Sequence, residues 1–476
     1  MRSIDINDSG LLDPVHTGLL IDAYELTMAA SYLRRGMNER ATFELFVRRL
    51  PPRRDWLMVA GVGPALELVS AMRFDQDGLR YLRERGFQAE FLEYLGDFQF
   101  TGDIDAMPEG TVVFANEPVM RVTAPRIEAQ LLETILLNQL NFQIAIATKA
   151  ARIVLAIGAG LPGQGGRLVD FSPRRDHGID AAMKAARAAA VAGALATSNV
   201  AAAMRYGLTP AGTMAHSYVL SFPDEPQAFR AFMQDMPENA VLLVDTYDTP
   251  TGVCNAIDAS RLTGVPLKGI RLDSGDLLSL SRVARSELDA AGMPGTTIMA
   301  TGDLDEQRIT GLVRDGAPID LWGVGTDLGT SSDSPVVGGV YKLVAQEIDG
   351  SWHGVAKHSE GKETVAGTKQ VFRRHVGDTM VGDVIAAYHE TLAGRALLVR
   401  AMRDGRSLLR DSLQDIQRRA QSELAALPPA LRVPTTEQVT PYPVEYSEEL
   451  YGLTHNDQPP FQRVGTDERG GTTDAP

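Results

Sequence analysis

One histidine stands in a run of small and hydroxylated residues, Ala211-Gly212-Thr213-Met214-Ala215-His216-Ser217. A neutral imidazole near pH 7 can serve as nucleophile, general acid or base, or metal ligand. It can equally be a hydrogen-bonded residue in a wall. No second histidine lies close in sequence, and His177 is the only other one among the polar clusters described next. Spacing alone leaves these readings of His216 open.

Six further clusters of one design share this part of the chain. In each, an apolar run stops abruptly in Gly, Asp, Arg, Ser or Thr. They fall at 172–178 (Ser-Pro-Arg-Arg-Asp-His-Gly), 197–199 (Thr-Ser-Asn), 245–249 (Asp-Thr-Tyr-Asp-Thr), 271–276 (Arg-Leu-Asp-Ser-Gly-Asp), 301–303 (Thr-Gly-Asp) and 323–327 (Gly-Val-Gly-Thr-Asp). Arg174, Arg175 and Arg271 carry guanidinium groups that can fork onto a carboxylate or phosphate, or form structural ion pairs. Gly323, Gly325 and Thr326 offer backbone N–H groups and a hydroxyl suited to a phosphate, or a tight turn. With Ser217 and Gly302 they complete a candidate phosphate-side set of Arg174, Arg175, Ser217, Gly302, Gly325 and Thr326. Asp245, Asp273 and Asp276 can hold Mg²⁺ through water or phosphate, or bind sugar hydroxyls. Their alternative is helix capping, which suits Asp276 best.

These clusters need strands to carry them. The pattern predicts strands at Arg167–Phe171, Gly212–Ala215, Val241–Val244, Gly269–Leu272, Thr297–Ala300 and Leu321–Val324, separated by helices at 180–192, 225–236, 277–291 and 306–315. Strands alternating with helices predict right-handed βαβ units and a parallel sheet. Their compact spacing suits an irregular, TIM-like α/β barrel over residues 126–340, and barrels place their chemistry where strands end. Before it, residues 13–125 read as an α+β domain. There Asp22 caps an opening helix, residues 41–47 form a strand, and 111–114 with 119–123 form a strand pair about a turn at 116–118. Residues 126–160 read as apolar helix. Strand character returns at 341–348 and 369–373. Residues 1–12 read as a loose arm, and 441–476, rich in Pro, Thr and Asp, as a wrapping or partly disordered tail.

Bulk properties exclude several classes. The chain has 476 residues, long enough for two or more domains, with 44% hydrophobic and 22% charged residues. Its net charge of −15 disfavours nucleic acid and anionic membranes, although small anions need only local cations. Cys254 is the single cysteine, which rules out an internal disulfide and fits a reducing, cytoplasmic setting. It reads as inert packing in a helix. The acidic start is unlike a signal peptide, and no apolar run reaches the ~18 residues of a membrane span.

Two motifs mislead. Gly158 to Gly163 matches G-x-G-x-x-G but follows a helix and leads into a strand, the reverse of a dinucleotide site. Gly361-Lys362 is followed by Glu363 and preceded by Ala356 in place of the first glycine, so it is no P-loop.

In this order the motifs resemble nicotinate phosphoribosyltransferase. The resemblance rests on Asp22-Ala-Tyr24-Glu-Leu-Thr-Met, Arg174-Arg175 with Gly178, Thr197-Ser-Asn199, the His216 run, Val244-Asp-Thr-Tyr-Asp-Thr249, the 271–276 cluster, Gly323-Val-Gly-Thr326, Tyr341-Lys-Leu343 and Tyr446-Ser-Glu-Glu-Leu450. It implies that nicotinate and phosphoribosyl pyrophosphate yield nicotinate mononucleotide and pyrophosphate, coupled to ATP hydrolysis, with Mg²⁺. It implies a barrel packed on a smaller domain built from both chain ends, with residues 341–440 returning to the N-terminal part, and a homodimer. It implies phosphorylation of His216, nicotinate contacts from Tyr24, Thr213 and Arg271, and a phosphoribosyl pyrophosphate contact from Thr326. Asp273 is then placed to stabilise charge on the sugar, and Asp245 and Asp276 to hold Mg²⁺. Departures occur at Gly193-Ala-Leu-Ala196, where glycines are commoner in the family, and at Ser172-Pro173, where glycine is common. Nicotinamide and quinolinate enzymes are rivals in the same class; a metal-dependent barrel lyase or hydrolase is the rival outside it.

Overall fold

A computed structural model describes residues 14–158, 160–161, 166–357, 363–434 and 441–456. The expected arm at 1–12, the Gly361-Lys362 pair and much of the Gly158–Gly163 loop lie outside the described residues.

Seven short strands make one parallel sheet: Arg167–Asp170, Ala196–Thr197, Thr209–Pro210, Val241–Leu243, Gly269–Leu272, Thr297–Ala300 and Leu321–Val324. Each pairs with the next in sequence except the third with the fourth, and the seventh returns to pair with the first. The third and fourth strands are the two edges of this sheet, paired on one side only. There Asn239 Nδ2 donates across the seam to the Gly212 carbonyl at 2.8 Å. The sheet is therefore a curled, incomplete α/β barrel. The apolar strands close around a core containing Leu242, Ile270, Ile298, Trp322 and Val324, all buried, and helices such as Thr249–Thr263 and Leu277–Ala290 cover the outside.

The expected strand at Gly212–Ala215 does not form. Pairing stops at Thr209–Pro210, with one further bond from Ala211 N to Thr197 O. Pro210 carries no N–H to extend the ladder and Gly212 gains little from an extended strand, so residues 211–215 run irregularly into a short helix, His216–Leu220. Two strands outside the expected set, Ala196–Thr197 and Thr209–Pro210, fill the interval, giving seven where six were expected.

The second sheet centres on Arg40–Val47. It is flanked by Gly339–Ile348 on one side, and by Pro118–Pro125, Asp103–Ala106 and Val399–Arg403 on the other. Residues 112–113 and 118–125 are not a pair: Val112–Val113 joins Leu57–Met58 in a separate sheet. Buried Glu117 accounts for this, because its Oε2 accepts the Phe114 N–H at 2.8 Å and turns the chain inward. The returning segment also divides. Helix Leu413–Ala426 buries Ile416, Ala420 and Leu424 in the barrel core, and Gln417 Nε2 donates to the Ala190 carbonyl. The tail is ordered at its start: Val444–Tyr446 pairs in parallel with Thr379–Ala387, and Leu450 is buried.

One helix, Glu133–Ile157, joins the two cores. Its Ile135, Leu136, Leu140 and Ile144 lie in the N-terminal core, and its Ile146, Ala150, Ile153 and Ile157 in the barrel core. The segment Arg126–Ile157 is long and apolar enough to cross a membrane, contrary to expectation from the sequence, but 83% of its most apolar window is buried inside the protein. Cys254 is exposed on helix Thr249–Thr263 rather than packed.

Candidate active site

The C-terminal strand ends open into a cavity of about 470 Å³. It gathers Arg174, Arg175, Arg271, Asp273, Gly302, Gly325 and Thr326, together with Phe171, Asp303, Asp305, Asp327 and Ser332. Four of the seven polar clusters line it and two more, 211–217 and 245–249, bond to its wall, because parallel strands all point their C-terminal ends the same way.

Arg271 is the best anchored of the cations. It leaves strand Gly269–Leu272, donates from Nε to Thr301 Oγ at 2.9 Å and from its terminal nitrogens to Asp273 Oδ1 at 2.6 Å and Thr213 Oγ at 3.4 Å. Its guanidinium lies 5.7 Å from the Phe171 ring centroid. Burial raises the Asp273 carboxyl, but hydrogen bonds from Thr301 and Arg271, and the guanidinium charge, outweigh it and hold the group below its ordinary range. Asp273 is thus ionised. Gly302 is required here: a Cβ on it would meet the Asp273 carbonyl oxygen at 2.0 Å, and its φ is +85°.

Arg174 and Arg175 are exposed, and their side chains have no hydrogen-bond or ion-pair partner among the described residues. Free guanidinium groups at a cavity wall suit an incoming anion.

His216 lies at the rim, on the first residue of its short helix. Its Nδ1 is 3.1 Å from Thr246 Oγ, and its Nε2 is 3.9 Å from Asp273 Oδ2. The Thr246 hydroxyl can donate to or accept from Nδ1, and Nε2 is the nitrogen on the Asp273 side.

Other expected residues are placed differently. Asp276 caps helix Leu277–Ala290: Oδ1 accepts the Leu278 and Ser279 N–H groups and Oδ2 the Ser279 hydroxyl. Asp245 supports the neighbouring turn, its Oδ2 accepting from Asp273 N at 2.8 Å and Ser274 Oγ at 2.7 Å. Its Oδ1 is buried without a partner among the described residues. Ser217 is exposed and does not line the cavity. Nor does Tyr24, which sits 47% exposed on helix Ala23–Arg34. Burial and the adjacent Glu133 push its phenol up. Asp22 makes no side-chain cap; its carboxylate accepts from Thr134 Oγ at 2.9 Å instead. Glu25 beside it is fully buried, and burial, with Glu133 and Asp22, pushes its carboxyl up to about 7 against a hydrogen bond from Thr134.

Sequence reasoning missed the ion network behind the last strand's loop. Lys149 Nζ lies 2.5 Å from Glu306 Oε2, 2.5 Å from Asp327 Oδ2 and 2.9 Å from Asp333 Oδ1. Arg152 bonds the other Glu306 oxygen at 2.9 Å, and Arg54 forks onto Asp333 at 2.7 and 2.8 Å. The signal was available: Lys149 and Arg152 stand three apart in the apolar second half of a helix, where an unpaired buried charge is too costly to keep.

Comparison with known proteins agrees with this geometry. Residues 19–141 match the nicotinate phosphoribosyltransferase N-terminal domain, and residues 167–387 the nicotinate phosphoribosyltransferase family. A nicotinate phosphoribosyltransferase of Mycobacterium tuberculosis is 45% identical over 443 residues, covering 92% of this chain and 93% of that protein. One from Bacillus subtilis is 45% identical over 378 residues, 78% of this chain and 76% of that protein. The crystal structure of human nicotinic acid phosphoribosyltransferase superposes with a TM-score of 0.76 at 25% identity, over 91% of this chain and 99% of that one.

Proposed function

From the premise that the chain belongs to the nicotinate phosphoribosyltransferase family, we propose that it joins nicotinate to phosphoribosyl pyrophosphate, couples this to ATP hydrolysis through His216, and works as a cytoplasmic homodimer. The observation that carries the substrate assignment is the cavity's division of labour: Arg271 is fixed by Thr301, Asp273 and Thr213, while Arg174 and Arg175 have no side-chain partner among the described residues.

In this reading Arg271 and Thr213 orient the nicotinate carboxylate, which a guanidinium binds by charge and shape. Arg174, Arg175, Gly325 and Thr326 take the phosphate groups. The nicotinate nitrogen attacks the anomeric carbon, the bond to pyrophosphate breaks, and its electrons leave with pyrophosphate. Ionised Asp273 stabilises the positive charge that builds on the sugar. Mg²⁺, when bound with pyrophosphate, supplies positive charge to the leaving group. Among the described residues no three acidic or histidine side chains are grouped to hold such a cation by themselves, so it would come with the phosphates and meet a single carboxylate, for which Asp245 Oδ1, buried without a partner among the described residues, is suited.

For the coupled step, His216 Nε2 attacks the ATP γ-phosphorus, ADP leaves, and the phosphorylated imidazole adds acceptor oxygens beside Asp273. Water later takes the phosphoryl group. Thr246 meets the ring at Nδ1, leaving Nε2 on the Asp273 side. Tyr24 is exposed and away from this cavity, which supports a stacking role against nicotinate in the second subunit's site.

The test supplies phosphoribosyl pyrophosphate and Mg²⁺ with nicotinate, nicotinamide or quinolinate, with and without ATP, and follows mononucleotide formation. Nicotinate alone should react, and ATP should raise turnover at low substrate. Reaction with nicotinamide only would overturn the substrate assignment. In His216→Ala the ATPase should vanish while slow transfer survives at high substrate; retained ATPase would remove the phosphohistidine. Arg271→Ala should raise the nicotinate KM sharply, and an unchanged KM would move the carboxylate contact to Arg174 or Arg175.

A further inference from the structure

We propose that Lys149, acting through Asp327, positions the loop that holds the pyrophosphate group, and that this buried brace sets the site's affinity for it. The proposal rests on the reading of the cavity as a phosphoribosyl pyrophosphate site.

Thr326 and Asp327 open the short helix Thr326–Thr330 and line the cavity with Gly325 and Ser332. A carboxylate among donors meant for a polyanion is unfavourable on charge alone. Asp327 is held to another purpose. Its Oδ2 is 2.5 Å from Lys149 Nζ, and its Oδ1 accepts the Ser332 hydroxyl. One carboxylate therefore ties the first turn of the loop to its far end, across the left-handed residue Ser331 at φ 47°. Both are tied in turn to the buried helix Glu133–Ile157.

The remaining anchors act on the same loop. Lys149 is 1% exposed and also holds Asp333, and Arg54 clamps Asp333 and donates to Ser331 Oγ at 3.0 Å. Behind the loop, Lys149, Arg152 and Arg54 meet Glu306, Asp327 and Asp333, so the charges balance. The rear is pinned at Asp327, Ser331 and Asp333 while the Gly325 and Thr326 groups face the cavity. Donors fixed in advance lose little freedom when the ligand arrives.

Asp327→Asn decides the matter by sign. The variant keeps the side chain's shape but gives up the charge that Lys149 holds, and it also removes a negative charge from an anion site. Magnesium pyrophosphate is titrated into wild type and variant by calorimetry, and KM is measured for both substrates. The brace predicts that pyrophosphate binds about tenfold more weakly, as for the loss of one charge-assisted contact. The phosphoribosyl pyrophosphate KM rises with it and the nicotinate KM moves less. Unchanged or tighter pyrophosphate binding overturns the proposal, the latter showing that Asp327 only repels. Ser332→Ala frees the other carboxylate oxygen without touching Lys149 and should weaken pyrophosphate binding in the same direction; an unchanged affinity there also overturns it. Urea denaturation shows that each variant is folded at the assay temperature. Pyrophosphate binding is read without nicotinate. A wild type that binds pyrophosphate but fails to transfer to nicotinate therefore counts against the proposed function and leaves the brace judged on its own result; a wild type that binds no pyrophosphate overturns both.

Discussion

The loop after the last barrel strand has cations on both sides, and they are treated in opposite ways. In front, Arg174 and Arg175 are exposed and unpaired among the described residues. Behind, Lys149, Arg152 and Arg54 are buried, and each is matched to a carboxylate. The difference separates holding a ligand from holding a fold. A free cation loses water only when an anion comes to replace it. A buried one has already lost its water and has only its partner. The same contrast appears between two buried glutamates. Lys149 and Arg152 overcome the burial of Glu306 and hold it below the ordinary carboxylate range. Glu25 is raised to about 7, chiefly by its burial, and its charged neighbours, Glu133 and Asp22, are carboxylates that add to the rise.

Breaking the rear face should have the largest effect. Lys149→Met leaves Asp327 without a cation beside Glu306 and Asp333, which keep Arg152 and Arg54, and a loss of about 3 kcal/mol of stability is expected in urea denaturation. A loss below about 1 kcal/mol would show that water or rearrangement satisfies those carboxylates, and would erase the contrast. Breaking the front face should leave the fold intact. Arg174→Ala and Arg175→Ala should each change stability by less than about 0.5 kcal/mol. The variant whose arginine meets phosphate should weaken pyrophosphate binding by about 1.5–3 kcal/mol in calorimetry. Equal, small effects from both would assign the phosphate to backbone donors alone.

The smallest effect sharpens the comparison of the glutamates. The ordinary value for Glu25 is 4.5 and its folded value about 7, so between these the folded protein holds a proton that the unfolded chain releases. Stability from this group is complete below the lower value and falls as pH rises through the upper one. Glu25→Gln should flatten that slope and stabilise the protein by about 1 kcal/mol at pH 8. An unchanged pH dependence would show that Glu25 is ionised when folded, with a partner yet to be found.

Much of this was legible in the sequence where local pattern and global fold agree. Gly269–Leu272, Thr297–Ala300 and Leu321–Val324 are apolar runs ended by polar clusters, and they are strands ended by the site. The His216 run looked similar, yet Pro210 stops its ladder and the histidine begins a helix. Asp276 and Asp245 share a residue type but not a role, because capping depends on which backbone N–H groups lie nearby, and composition does not contain that. Lys149 was overlooked because its partners come from 157, 178 and 184 residues further along; only tertiary packing brings them together.

The long helix Glu133–Ile157 has one more consequence. It lends its first half to one core and its second half to the other. Melting either core strips a wall from its neighbour, so the two cannot behave as separate thermodynamic units. Heating should give one calorimetric transition rather than two, with the van't Hoff enthalpy matching the calorimetric one. A rod shared in this way makes the whole chain as durable as its weaker half.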